Sequence, residues 1–291
     1  MSDISAVETV EHQSAIPRPQ PSLARPFLKW AGGKSQILPD ILSRIPKNFK
    51  SYYEPFLGGG AVFFALQPRG ASLSDINPEL INVYQVIRDQ LPQLIQELSK
   101  FKYSEREYYR VRNLDRDPGF WTWSSAERAA RIIYLNKTCF NGLFRVNQRG
   151  QFNVPFGAYQ NPKILDAENL TACSQALQGV DLAVRPYSKI LEVIEPGDFI
   201  YADPPYVPIS KTASFTSFAK TGFTLEDQAA LRDFALAVDR KGAYIMLSNA
   251  DTPLTRELYQ SLNVVQISAP RMISARGQSR TKVFEVIATN Y

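Results

Sequence analysis

Asp203-Pro204-Pro205-Tyr206 follows the run Asp198-Phe199-Ile200-Tyr201, which reads as a buried strand. The tetrapeptide therefore stands at the edge where open α/β sheets bind ligands. Two successive prolines remove two N–H donors and fix two φ angles. Free carbonyls, one carboxylate and one aromatic face suit a flat ring carrying an exocyclic amino group, whose two protons need acceptors. Adenine or cytosine flipped out of a nucleic acid is such a ring. A Pro-rich turn capped by an Asp is the plainer alternative.

A second constellation lies upstream. Glu54-Pro55-Phe56-Leu57-Gly58-Gly59-Gly60 is a strand-to-helix turn whose glycines allow close approach of a ligand to the backbone. Asp75 ends the next strand, where an acid meets ribose hydroxyls. The dinucleotide pattern G-x-G-x-x-G is absent, which points to an adenosine-like ligand without a pyrophosphate. Phe27-Leu28-Lys29-Trp30-Ala31-Gly32-Gly33-Lys34-Ser35 is not a phosphate loop, because Leu28 stands where its first Gly belongs. Trp30 and Lys34 beside Gly32 and Gly33 suit a zwitterionic amino acid bearing a sulfonium.

The elements that must position these residues follow from periodicity. Strands are expected at 51–56, 71–75, 181–185, 199–202, 243–248, 264–268 and 284–289, and helices at 61–66, 77–101, 225–239 and 253–259. Residues 103–140 have a mostly helical period, and Leu143–Val154 alternates about Gln148-Arg149-Gly150 as a β-hairpin would. A mostly parallel α/β sheet is thus interrupted by a helix-plus-hairpin insertion. Residues 100–150 hold eleven Lys/Arg against five Asp/Glu, so the net charge of +5 is concentrated there, the footprint of a polyanion partner.

Composition narrows the class. No apolar run spans a bilayer, and residues 1–24 form a Pro-containing tail without a secretory core. Cys139 and Cys173 are too few for a disulfide or zinc framework, and His12 is the single histidine. A cytoplasmic protein without metal or membrane is expected. Neither cysteine follows a proline, so the Pro-Cys nucleophile of C5-cytosine methylation is missing.

Six stretches resemble the Dam family of DNA adenine-N6 methyltransferases: RPFLKWAGGK (25–34), YYEPFLGGGAVFF (52–64), LSDINPELINVY (73–84), YLNKTCFNGLFRVNQRGQFNVPFG (134–157), DFIYADPPYVPISKTASFT (198–216) and SARGQSRTKVFEVI (274–287). Their order is that of the α group of the D12 class. The resemblance implies an α/β, seven-stranded, Rossmann-like S-adenosylmethionine-dependent methyltransferase fold with an inserted helical plus β-hairpin target-recognition domain. Residues 25–79 and 166–291 would form the catalytic domain and 80–165 the recognition domain. S-adenosyl-L-methionine would meet Trp30, Gly33, Lys34, Phe56, Gly58, Gly60, Asp75, Tyr187 and Asp203. Asp203, Pro204, Pro205 and Tyr206 would be catalytic. Lys29, Phe140, Asn141, Leu143, Arg145 and Pro155 would contact double-stranded DNA, with Phe140 where many relatives carry Tyr.

The resemblance implies site-specific methylation of adenine N6 at GATC by a monomer. The alternative within the family is a longer site such as GATATC, methylated as the partner of a restriction enzyme. Outside it stand an enzyme of the same fold on an amide or cytosine N4, and a non-catalytic DNA-binding module. Arg271, Arg276, Arg280 and Lys282 are expected to grip phosphates, and loop 207–222 to order on DNA.

Overall fold

A computed structural model of the chain describes residues 24–207, 223–269 and 283–291. Most of the expected tail, most of loop 207–222, and Arg271, Arg276, Arg280 and Lys282 lie outside the described residues. Seven strands form one sheet: β1 (Tyr52–Glu54), β2 (Ala71–Asp75), β3 (Asp181–Val184), β4 (Phe199–Ala202), β5 (Tyr244–Ala250), β6 (Asn263–Ala269) and β7 (Val283–Thr289). Their order is β3-β2-β1-β4-β5-β7-β6. Strands β1 to β5 pair in parallel, and β7 runs antiparallel between β5 and β6. Every expected strand is present, within one to two residues at its ends, and the fold is Rossmann-like.

The sheet is wound in both directions from β1. The chain steps outward through β2 and β3, then returns to place β4 on the other side of β1. The crevice at that switch point is where such sheets bind ligands. Strand β4 explains its own apolar sequence: all four residues are buried. Phe199 and Tyr201 enter one core, while Ile200 and Ala202 enter the other. Strands covered on both faces lose the alternation of half-exposed ones.

Helices α1 (Leu38–Leu42), α2 (Ala61–Leu66), α3 (Pro78–Asp89), α4 (Leu91–Ser99), α5 (Glu105–Asn113), α6 (Ser125–Thr138), α7 (Ala167–Ala176), α8 (Leu225–Arg240) and α9 (Pro253–Leu258) complete the frame. The single helix expected over 77–101 is two, because Pro92 enters the second one near its start, leaving Gln90 between them. Ser124 starts α6 with a capping box closed by Glu127. Helix α6 is buried on nearly every side, packed against α3, α4 and α5, so the inserted segment shares the main core.

The expected hairpin is short: Val146 faces Phe152 in antiparallel sense about a turn closed by Asn147 N to the Gln151 carbonyl (2.8 Å). A second backbone bond, Asn153 N to the Arg145 carbonyl (3.1 Å), completes this short hairpin, and the remaining backbone groups bond to side chains. Phe152 N donates to Asp115 Oδ2 (2.7 Å), and Tyr108 Oη donates to the Val154 carbonyl (2.7 Å).

Asp115 also meets the Arg131 guanidinium at 2.8 Å, with the two side chains 6% and 3% exposed. Arg131 donates to the Val111 and Arg112 carbonyls as well, so one cation ties the end of α5 and the Phe152 segment to α6. Removing one partner strands a buried charge, which costs about 3–5 kcal/mol. Asp115→Ala is expected to lower the unfolding free energy by that amount, read as a reduced urea midpoint. A midpoint within error of wild type would show that the pair adds nothing.

Candidate active site

Asp203 emerges directly from β4, and its Oδ1 lies 2.8 Å from Lys34 Nζ. Lys34 opens a 3-10 turn, Lys34–Gln36, and is buried. Its ammonium also donates to the Gly32 carbonyl and lies 4.6 Å from the centroid of the Tyr206 ring. Asp203 Oδ1 is buried and, among the described residues, has the Lys34 ion pair but no hydrogen-bond partner. Burial pushes the Asp203 carboxyl up to about 6, against the opposing pull of Lys34.

The rest of the tetrapeptide is clamped by amides. Gln228 on α8 donates to the Pro205 carbonyl (2.8 Å), and Asn249 on β5 accepts from Val207 N (3.1 Å). Asn249 Nδ2 donates to Gln228 Oε1 (3.0 Å), which locks the two together. Among the described residues the Pro204 carbonyl accepts no hydrogen bond. Tyr206 Oη donates to Glu285 Oε2 at 2.7 Å, at the start of β7. Deeper in the crevice Glu54 is buried and accepts from Tyr52 Oη (2.7 Å). Burial pushes its carboxyl up to about 8, and the Asp203 charge adds to the shift.

The glycine turn is built on Asp75. Its Oδ2 accepts from Gly58 N (3.2 Å) and its Oδ1 from Asn77 N (2.9 Å). Each oxygen retains acceptor capacity; burial raises the carboxyl above its usual range. Gly58 and Gly60 take φ of 47° and 64°. A Cβ on Gly58 would fall 2.8 Å from Trp30 Cδ1, so the indole edge requires that glycine. Phe56 and Tyr187 stack at 5.3 Å beside Phe223. Gly33 N closes a turn to the Trp30 carbonyl.

Three segments converge on a second surface. Phe140 opens a 3-10 turn, Phe140–Gly142, and its N donates to the Pro155 carbonyl (2.9 Å). Phe140 is 51% exposed and so is not a core residue. Asn141, Arg145 and Pro155 are exposed, and Leu143 is half-buried against the core. Arg145 Nε donates to Asn153 Oδ1 (2.8 Å). Exposed Lys29 lies 5.0 Å from the centroid of the Tyr159 ring. Trp30 stacks on Phe144 at 5.2 Å, so the glycine turn and this surface share one indole.

Residues 30–273 match the family described as D12 class N6 adenine-specific DNA methyltransferase. The chain belongs to this family. It is 45% identical over 271 residues to the "Type II methyltransferase M1.LlaDCHI" of Lactococcus lactis subsp. cremoris, covering 92% of this chain and 95% of that protein. It is 41% identical over 287 residues to the "Type II methyltransferase M.MjaIII" of Methanocaldococcus jannaschii, covering 92% and 99%. It is 36% identical over 271 residues to the "DNA adenine methylase" of Escherichia coli strain K12, covering 91% and 94%. The chain is an adenine-N6 DNA methyltransferase. Among the described residues no helix is long and apolar enough to cross a membrane, and no group of three or more His, Cys, Asp or Glu could hold a metal.

Four groups that the sequence motifs do not single out also line the candidate site: Glu54, Gln228, Asn249 and Glu285. Glu54 stands in the glycine motif itself, and its position at a strand end is the signal that could have found it. For the other three no local signal exists, since each acts on a residue 21 or more positions away.

The buried Glu54 carboxyl ties stability to pH. The folded chain holds this proton up to about pH 8, whereas the unfolded chain releases it near the ordinary value of 4.5. The folded state binds more protons in that window, so stability falls as pH rises from 5 to 8, by at most ~1.4 kcal/mol per pH unit. Glu54→Gln is expected to flatten this slope in urea titrations at pH 5, 6.5 and 8. An unchanged slope would place the proton elsewhere.

Proposed function

We propose that this methyltransferase moves a methyl group from S-adenosyl-L-methionine to N6 of an adenine flipped out of double-stranded DNA, at GATC. Asp203 Oδ1 and the Pro204 carbonyl, neither with a hydrogen-bond partner among the described residues, carry the reading. The N6 lone pair is delocalised into the adenine ring. Accepting both N6 protons, at Asp203 and at Pro204, localises that pair on nitrogen. Lys34 favours the ionised form of Asp203 and lies over the Tyr206 ring, on which the base would stack from the opposite face. The amide clamp occupies Pro205 and so leaves the acceptor role to Pro204.

The donor fits the residues present. Asp75 has acceptor capacity for ribose hydroxyls, Phe56 and Tyr187 offer a stacking pair, and Trp30, Gly33, Lys34, Gly58 and Gly60 line the methionine end. Bound S-adenosylmethionine supplies a methyl on a sulfonium. Asp203 and the Pro204 carbonyl would orient N6 toward that methyl, with the Asp203 carboxylate placed to take the proton lost on methylation. Positioning and electrostatics carry the step.

On the recognition side, Phe140 fills the gap left by the flipped base. Lys29, Asn141, Leu143, Arg145 and Pro155 read the neighbouring pairs, with Lys or Arg to guanine the commonest specific contact. Residues 80–165 act as the recognition domain and the remainder from 25 onward as the catalytic one.

Labelled-methyl transfer to a GATC duplex tests the assignment. Asp203→Ala is expected to lower kcat by ~10²-fold or more with DNA affinity unchanged; near-normal turnover would remove Asp203 from the chemistry. Because Asp203 must be ionised, wild-type kcat/KM is expected to fall as pH drops through about 6. A profile flat from pH 8 to 5 would contradict that.

A further inference from the structure

Asn136, in the last turns of α6, is 2% exposed and directs its whole amide at two other segments. Its Oδ1 accepts from Lys29 N (2.8 Å), and its Nδ2 donates to the Lys29 carbonyl (2.7 Å) and to the Gly142 carbonyl (2.9 Å). One side chain thus holds both backbone groups of Lys29, 107 positions away in sequence, and the turn that carries Phe140 and Asn141.

The fit continues beyond those bonds. Gly142 has φ of 65°, and a Cβ there would lie 2.6 Å from Lys29 Cδ and 2.7 Å from Lys29 Cβ. The lysine stem therefore lies flat against the Gly142 α-carbon. Its ammonium end reaches over Tyr159, whose hydroxyl donates to the Cys139 carbonyl (2.9 Å) at the base of the same turn. Asn141, in the left-handed region at φ of 56°, projects from this assembly.

We propose that Asn136 is a positioning residue for sequence discrimination: it sets the spacing between Lys29 and the Phe140–Arg145 segment, so that both meet neighbouring bases as one rigid surface. The proposal rests on the reading that Lys29 and this segment contact the recognition site. Asn136 itself is buried and touches no DNA. The residue type follows from the bonds. Aspartate lacks both donors, and alanine leaves three backbone groups without their partner, of which the buried Gly142 carbonyl costs about 1–3 kcal/mol when unsatisfied. Base contacts separate right from wrong pairs by only about 1–3 kcal/mol each, so a modest shift of Lys29 against the loop erases a large part of that margin.

The test uses the full chain and kcat/KM for labelled-methyl transfer. The substrates are a duplex carrying the site mapped for the wild type and duplexes changed at one flanking base pair each. Asn136→Ala is expected to lower discrimination about tenfold or more at the pair read by Lys29, with the affinity for S-adenosylmethionine unchanged. A purely structural residue would lower the rate on every duplex in the same proportion. Gly142→Ala presses on the same contact from the loop side and is expected to lose discrimination at the same pair; it decides the matter if Asn136→Ala does not fold. Equal losses on all duplexes, in whichever variant folds, overturn the proposal while leaving the methyltransferase reading intact. Should Lys29→Ala discriminate as the wild type does, the assignment of Lys29 fails and this proposal falls with it.

Discussion

The proposed reaction requires a carboxylate that stays charged in a crevice that disfavours charge and that keeps acceptor capacity. Burial pushes Asp203 up to about 6, and Lys34 at 2.8 Å limits the rise. If desolvation prevailed, Asp203 would be a neutral donor at physiological pH and could not accept a proton from N6. The carboxylate has about four lone-pair positions, so the Lys34 contact leaves acceptor capacity over. One close cation therefore meets both demands.

The remaining architecture serves that placement. Strand β4 delivers Asp203 to the switch point because its four residues are buried on both sheet faces. Gln228 and Asn249 fix the loop that follows, and Glu285 fixes the Tyr206 hydroxyl. Glu54 lies in the same crevice with a carboxyl raised to about 8, so it is protonated near neutrality and adds little repulsion to Asp203 there. The Trp30 indole, between Gly58 and Phe144, joins this site to the surface bearing Phe140 and Arg145.

Much of this was legible in the sequence because the signals are local. A buried strand followed by Asp203 and two prolines, a glycine turn before α2, and an acid ending β2 each announce themselves within ten residues. The core-facing periodicity placed every strand. The hairpin is shorter than the alternation over Leu143–Val154 suggests: two backbone bonds bracket Val146 and Phe152, and side chains of Asp115 and Tyr108 take the remaining groups. The helix over 77–101 misled for a smaller reason, a proline tolerated at a helix start. Gln228, Asn249, Glu285 and Asn136 were invisible, since polar residues on a helix or strand read as surface until the fold shows what they meet. Lys34 was read as a partner for a ligand carboxylate, and its pairing with Asp203 spans a separation that no spacing rule covers.

The most direct measurement is made on genomic DNA. The protein is expressed in a host lacking adenine methylation, and the DNA is digested by two GATC enzymes, one blocked by N6-methyladenine and one requiring it. Cutting only by the enzyme that requires methylation is the predicted result. Cutting only by the blocked enzyme would contradict methylation at GATC.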